Sequence, residues 1–209
     1  MISTELSLCF KGSRSYVQGT SMLESAMEVI ALSAPGIPPK KIDFLINKMT
    51  GKSLVFDFWE KGYEAPVNDK TIATCSFSLG DLSHEGRLVE SERNVEQRVP
   101  YDESAVTDRC VFSLEERVVS LTETPSDVSP IEILVSMTKA LHYQVFEIPS
   151  DNQWVFCRWE SAIWPLPKDL SGVTLTIDRT VGTRLTRAAV VQNNDLVGRI
   201  YFSARDPRA

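Results

Sequence analysis

Histidine is nearly absent. His84 and His142 are the only two among 209 residues, which excludes a histidine-rich metal centre. A zinc site would have to draw on cysteine or carboxylate ligands. Cys9, Cys75, Cys110 and Cys157 are scattered, with no Cys-x-x-Cys pair among them. Each lies in an apolar, strand-like context, which predicts reduced core thiols in a cytoplasmic protein rather than disulfides or nucleophiles. Phosphate-cradling and nucleophile-elbow motifs are missing as well: there is no Gly-x-x-x-x-Gly-Lys-Ser/Thr, no Gly-x-Gly-x-x-Gly and no Gly-x-Ser-x-Gly. No apolar run approaches the ~20 residues of a membrane helix. The start, Met1-Ile2-Ser3-Thr4-Glu5, lacks the basic head and apolar core of a signal peptide. Positive charge is in deficit, with a net charge of −6. A basic surface for nucleic acid or anionic membrane is therefore not expected, and neither kind of partner is.

What is present is an ordinary globular composition, 43% hydrophobic and 24% charged, which predicts a packed core. The chain also says one thing twice. Asp195-Leu196-Val197-Gly198-Arg199-Ile200 near the end echoes Asp81-Leu82-Ser83-His84-Glu85-Gly86-Arg87-Leu88 in the first half. Each copy follows an apolar, helix-like run, Thr20 to Ala34 and Pro130 to Phe146. Two similar halves are expected to place a site where they meet.

The first half opens with a strand candidate, Glu5 to Phe10. Thr20 or Ser21 is positioned to cap the following helix, with Glu24 completing a capping box. Met22, Ala26, Val29, Ile30 and Leu32 give that helix a broad apolar face, and Pro35-Gly36-Ile37-Pro38-Pro39 ends it. Strands are expected over Ile42 to Met49, Ser53 to Trp59, Thr71 to Leu79 and Arg87 to Val89, with a polar turn from Gly80 to Gly86. Residues 93–108, charged and poor in apolar side chains, read as a linker between a first repeat, 1–92, and a second, 109–209. The second half repeats the order. A strand runs from Cys110 to Leu121, and a helix opens at Ser129-Pro130 with Ile131, Leu134, Met137, Leu141 and Val145 along one face. Strands then follow from Gln153 onward. In the first of them Trp154, Phe156, Ala162 and Trp164 are expected to share a face with Trp159 opposite.

A helix apolar nearly all round, followed by several antiparallel strands, fits a sheet wrapped around a central helix. Local residues extend this to a family. Cys9-Phe10-Lys11-Gly12-Ser13-Arg14-Ser15-Tyr16-Val17-Gln18-Gly19, then Thr20 to Glu24, resembles the β-hydroxyacyl-ACP dehydratase segment Gly-His-Phe-Pro-x-x-Pro-x-x-Pro-Gly. In that segment four mostly apolar residues and a Glu follow the last Gly. Gly19 and Glu24 match without a gap. Ala162 to Leu170 is similar to the family's strand leading into Pro-Val-x-Pro-Gly-Asp-x-Leu. The chain thus resembles the dehydratase/thioesterase superfamily in its α+β double hotdog form: two tandem hotdog repeats, each a long central helix wrapped by an antiparallel sheet, with the sheets paired edge to edge. The family's histidine falls on Phe10, its prolines on Gly12, Ser15 and Gln18, and the second half puts Leu121 and Val135 where His and Glu would stand.

The resemblance implies action on, or binding of, acyl thioesters (acyl-ACP or acyl-CoA) in fatty-acid-like, polyketide or secondary-metabolite synthesis. The activities it implies are those of an acyl-thioester hydrolase, an acyltransferase or an atypical hydroxyacyl dehydratase. The alternative is a non-catalytic acyl-binding, regulatory or scaffolding module that has lost the histidine. Glu24 is the expected base or orienter, at the end of an acyl tunnel between the halves. The backbone amides of Gly19, Thr20 and Ser21 are the expected electrophilic helpers. Arg14, Tyr16, Gln18, Thr122 and Glu123 are the expected contacts to substrate. No metal or separate cofactor is expected, because phosphopantetheine or CoA arrives as part of the substrate. The partner is acyl carrier protein or a CoA thioester, and the chain is expected as a monomer or a homodimer. His142 reads as a partly buried structural histidine and His84 as a solvated turn residue.

Overall fold

The computed structural model describes residues 1–147, 152–182 and 184–205. They divide into two compact units, Met1–Tyr101 with Glu160–Pro165, and Asp102–Trp159 with Leu166–Ala209. The architecture is α+β, and each unit is a long helix with an antiparallel sheet.

In the first unit the order is β1 (Ile2–Glu5), β2 (Phe10–Lys11), α1 (Gly19–Ser33), β3 (Lys40–Ile46), β4 (Lys52–Glu60), β5 (Thr71–Leu79), β6 (Leu82–Asn94) and β7 (Arg98–Val99). The sheet order is β1-β4-β6-β5-β3, and β2 and β7 form a separate parallel pair. Period-two alternation puts one residue in two on the core face. The register aligns these residues into rows: Phe44, Cys75, Gly86 and Phe58 in one, Ile46, Ala73, Leu88 and Phe56 in the next. All eight are buried. From α1, Met22, Leu23, Ala26, Met27 and Ile30 are buried too, a broad stripe that suits a helix at the centre of a sheet. Burial of the methionine, leucine and isoleucine side chains among them stabilises by about 1.5–3 kcal/mol each.

The second unit runs α2 (Ser104–Thr107), β8 (Cys110–Ser113), β9 (Val118–Leu121), α3 (Pro130–Val145), β10 (Gln153–Ile163, of which Glu160 onward belongs to the first unit), β11 (Thr174–Val181), β12 (Leu185–Gln192) and β13 (Asp195–Arg205). Its strands are ordered β10-β13-β12-β11-β9-β8. Val119, Leu175, Val190 and Gly198 form one core row, and Ile177, Ala188 and Ile200 another. Ile131, Leu134, Met137 and Leu141 of α3 are fully buried, as their spacing predicts.

The duplicated signature now has a structural cause. In each unit it forms the last hairpin, β5–β6 or β12–β13, and its glycine stands in a core row. A Cβ on Gly86 would lie 2.9 Å from both Cys75 Sγ and Phe56 Cε2, so no larger residue fits. The turns are two residues long: Gly80-Asp81, with Gly80 at φ +58°, and Asn193-Asn194, at φ +54° and +68°. The polar turn expected from Gly80 to Gly86 therefore shrinks to Gly80-Asp81, with Leu82 already in β6.

Several other expectations are corrected. The strand drawn over Glu5 to Phe10 is two strands, because β1 pairs with β4 and β2 with β7, and residues 6–9 carry the chain between those partners. Cys9 consequently sits in a connection rather than a strand. Cys110 to Leu121 is the hairpin β8–β9, closed by the Arg117 amide on the Leu114 carbonyl at 3.2 Å. In β10 the buried set changes parity between Phe156 and Cys157, so Trp159 and Ser161 are buried while Ala162 is exposed. Leu32, expected on the apolar face of α1, is 74% exposed. Residues 93–108 contain the end of β6, then β7 and α2. All four cysteines are free thiols, and burial pushes Cys75 and Cys157 up and Cys110 up to about 11.

Candidate active site

The start of α1 departs from its expected form. The helix begins at Gly19, with Gln18 as N-cap in an extended conformation, and no side chain caps it. The Val17 amide donates to the Thr50 carbonyl at 2.8 Å, which fixes the chain just before the turn into the helix. Thr20 and Ser21 are thereby drawn inside the first turn, where both are buried. The expected capping box from Thr20 or Ser21 to Glu24 does not form, and Glu24 is in the second turn. The first helical hydrogen bond is the Met22 amide to the Gln18 carbonyl, 3.1 Å. It leaves the amides of Gly19, Thr20 and Ser21 ahead of the ladder, at the positive end of the helix dipole. No acidic residue stands in that first turn. Ser21 Oγ is buried with no hydrogen-bond partner among the described residues.

Glu24 is half-buried and opens a stripe at helical spacing with Met27, Glu28 and Ala31. This stripe forms one wall of a groove of about 400 Å³. The opposite wall is Gly36 to Pro39 with Trp164 and Pro165, tied together by the Trp164 amide donating to the Pro39 carbonyl at 3.1 Å. Among the described residues, Glu24 and Glu28 are the only charged ones lining it. All of these residues belong to the first unit, so the groove beside Glu24 is built within that unit.

Ahead of α1 lies a cluster of cations and rings. The Arg14 guanidinium stacks 4.9 Å from the Tyr101 ring centroid. Its Nη1 and Nε donate to the Gln18 side-chain oxygen at 3.0 and 3.2 Å, in the amide orientation that satisfies both groups. Arg98 lies 5.1 Å over Phe10 and donates to the carbonyls of Gly12 and Arg14. At the position matching the family histidine there is thus an aromatic ring under a guanidinium. Lys11 Nζ is 5.9 Å from the Tyr101 centroid. Burial lowers the Lys11 ammonium from its ordinary 10.5, and the Glu24 charge is the largest of the nearby charges acting on it. Sequence reasoning passed over Lys11. The signal was a lysine in a two-residue strand next to Phe10, and only the fold brings it to the Tyr101 ring.

Of the expected site residues, Arg14, Gln18, Gly19, Thr20, Ser21 and Glu24 therefore fall along one stretch of the first unit. Tyr16 is half-buried in the same loop. Thr122 and Glu123 belong to the second unit. There the Thr122 amide and hydroxyl both donate to the Arg109 carbonyl at 3.0 Å, and Glu123 lies 4.0 Å from the Arg109 guanidinium.

The histidines resolve differently from one another. His142 is wholly buried. Its Nδ1 donates to the Thr138 carbonyl at 2.6 Å, so the neutral ring accepts at Nε2 from the Thr186 hydroxyl at 2.5 Å. The rings of Trp154, Phe202 and Phe146 surround it at 4.6, 5.0 and 5.6 Å. Burial pushes its pKa down to about 4. His84 is not a solvated turn residue. It lies on β6, stacked on Phe77 at 5.3 Å and edge-on to Phe58. Among the described residues no group of three His, Cys, Asp or Glu is arranged to hold a metal, and no helix is long and apolar enough to cross a membrane.

No family model matches the chain, and no curated protein matches it. Solved structures do. The dehydratase domain of PpsC from Mycobacterium tuberculosis, in complex with C12:1-CoA, is similar at 10% identity and a TM-score of 0.49, over 97% of this chain and 92% of that one. An acyl-ACP thioesterase from Bacteroides thetaiotaomicron is similar at 12% identity and 0.46, over 98% and 97%. The acyl-CoA thioesterase II TesB2 from Mycobacterium marinum is similar at 10% identity and 0.46, over 92% and 91%.

Proposed function

We propose that the chain acts on or binds acyl thioesters, acyl-ACP or acyl-CoA, in fatty-acid-like, polyketide or secondary-metabolite biosynthesis. The observation that carries this reading is the position of Glu24 on α1. It stands between an uncapped helix start and a groove lined by apolar residues apart from Glu24 and Glu28. An acyl chain matches the groove, whose volume is in the range of small-molecule sites. A thioester carbonyl matches the uncapped amides, which favour developing negative charge.

Hydrolysis is the chemistry these groups support best. Glu24 takes a proton from water, the water oxygen bonds to the thioester carbon, and the tetrahedral oxyanion forms. The carbon–sulfur bond then breaks, and the leaving thiolate takes the proton back from Glu24. Acyl transfer follows the same course with a different nucleophile. Dehydration needs a second proton-transfer group, and Phe10 under Arg98 supplies none. In this reading the chain works in the cytoplasm as a monomer or homodimer. It needs no cofactor of its own, because phosphopantetheine or CoA arrives with the acyl group.

Turnover of a panel of acyl-CoA and acyl-ACP thioesters by wild type and Glu24→Gln tests this. The expected result is a loss of about 100-fold or more in kcat for the variant. Unchanged turnover removes Glu24 from the mechanism. No turnover by wild type, with saturable binding of an acyl-CoA, selects the binding module instead.

A further inference from the structure

The first unit gathers positive charge at one point in a chain whose net charge is −6. Gly12 is the meeting point. Arg98 donates to its carbonyl, and a Cβ on Gly12 would lie 3.6 Å from Arg14 Nη1 and from Tyr101 Cβ. Arg98 also donates to the Arg14 carbonyl at 2.8 Å. Two guanidinium groups thus stand at one glycine, Arg14 over the Tyr101 ring and Arg98 over the Phe10 ring. The frame is fixed, because the parallel pairing of β2 and β7 sets Phe10 opposite Arg98, and the Gly12 amide donates to the Val99 carbonyl at 3.0 Å. Arg98 is exposed. Among the described residues its hydrogen bonds use Nη1 alone, and it has no carboxylate partner. A guanidinium carries five N–H donors, so Nε and Nη2 are left for a ligand. Asp102, which follows Tyr101, is taken up by the Ser104 amide and hydroxyl.

The cluster lies at the start of α1. Arg14 reaches the side chain of Gln18, the N-cap, and Glu24 stands six residues further on, about 9 Å along the helix axis. The groove continues from Glu24 to Ala34 in the same direction. Along α1 the order is therefore guanidinium pair, uncapped amides, carboxylate and apolar groove. An acyl thioester of CoA or of carrier protein presents, in the same order, a phosphate ester with its pantetheine arm, a thioester carbonyl and an acyl chain.

We propose that Arg98, with Arg14 beside it, is the phosphate site for this substrate: the Nε and Nη2 donors of Arg98 bind the phosphate ester at the far end of the pantetheine arm while the thioester lies at Glu24. The inference rests on the acyl-thioester reading above and names the part of the carrier that the chain recognises. CoA and carrier protein share this phosphate, so the site reads the chemistry common to both. A planar guanidinium fork matches phosphate oxygens, and charge-assisted bonds of this kind are about twice as strong as neutral ones. The anion also offsets the repulsion between two cations held at one glycine.

Calorimetric titration of wild type, Arg98→Met and Arg98→Lys with phosphopantetheine and with pantetheine tests this, because the two probes differ only in the phosphate. Wild type should bind phosphopantetheine about 10-fold more tightly than pantetheine. R98M should lose that preference with its pantetheine affinity unchanged. R98K keeps the charge without the fork and should recover part of the preference. An equal loss for both probes in R98M would mean that Arg98 only holds the carbonyls of Gly12 and Arg14, and overturns the site. Equal affinity of wild type for the two probes, or binding of neither, overturns it without any variant and decides the matter if R98M does not fold. CoA and holo carrier protein, titrated in the same way, distinguish the sources: affinity lost in R98M for one of them alone assigns the phosphate to that carrier. Turnover of acyl-CoA with no preference for phosphate overturns the site and leaves the acyl-thioester reading standing. A preference for phosphate with neither binding nor turnover of any acyl thioester overturns that reading, and with it the assignment of this anion to a thioester carrier.

Discussion

The helices α1 and α3 hold the same place in the order of their units and are finished in opposite ways. At its start α3 has Ser129 as N-cap, accepting from the Glu132 amide at 3.4 Å, Pro130 in the first turn and Glu132 as the acid of that turn. That set satisfies the orphan amides and the dipole from within the chain. At its start α1 has Gln18, no side-chain cap and no acid. The far ends differ in the same sense. Late in α3, His142 is enclosed by Phe146, Trp154 and Phe202. Late in α1, Ala31 and Ala34 border an open groove, and Leu32 is exposed. One helix is closed at both ends by its own unit, and the other has an uncapped start and an open groove along its later turns. In the proposed reading, one copy serves as scaffold while the other carries the site.

The largest way to break this comparison is to open the plug in the second unit with acid. The folded His142 pKa is about 4, against an ordinary value of 6.5. The unfolded state therefore binds a proton first as pH falls. The stability from keeping this ring neutral is full above 6.5, shrinks between 6.5 and about 4, and changes no further below that. At about 1.4 kcal/mol per pH unit, the loss is on the order of 3 kcal/mol. Urea unfolding at pH 7 and pH 4.5 measures it, with His142→Phe separating this group from the carboxylates. A variant that loses as much stability as wild type over that interval would show that the buried ring is not the cause.

Much of the frame was legible in sequence, because it depends on periodicity. The apolar stripe of α3, the strand Thr71 to Leu79 and the two hairpin copies all rest on side-chain spacing and turn chemistry that act locally. The capping box was assigned to the wrong helix. Thr20, Ser21 and Glu24 have the right chemistry, but a hydrogen bond to Thr50 brings the chain into the helix before Thr20, and Thr50 is remote in sequence. The box spacing is instead realised in α3 by Ser129 and Glu132. Lys11 escaped notice for the same reason, since the Tyr101 ring beside it is remote in sequence. His84 read as solvated because its neighbours in sequence are polar, while its neighbours in space are Phe77 and Phe58. The groove was invisible, because Pro39 and Trp164 meet only through tertiary structure.

A smaller effect separates the two helix starts directly. Ser129→Ala should cost about 1 kcal/mol, because it removes the hydroxyl that accepts from the Glu132 amide. Ser21→Ala should cost nothing measurable or add slightly to stability, because its buried hydroxyl has no partner to lose among the described residues. Thermal unfolding of the two variants side by side reads the contrast. Equal losses would mean that α1 relies on Ser21 as α3 relies on Ser129, and the two starts would no longer be distinguished.

The smallest expected effect tests the meaning of the open start. Gln18→Asp puts a strong N-cap acceptor where α1 has none, and its carboxylate can still receive Arg14. Capping and charge at the positive end of the dipole should stabilise the fold by about 0.5 kcal/mol. The same carboxylate would then occupy the amides of Thr20 and Ser21 and repel an oxyanion. Stability should rise while thioester turnover, or acyl-CoA binding if the chain is a binder, falls. The two changes have opposite signs, which a loss of folding cannot produce. If stability rises and neither turnover nor binding changes, the uncapped amides are a local economy of the chain, and the site must be sought along the groove beyond Glu24.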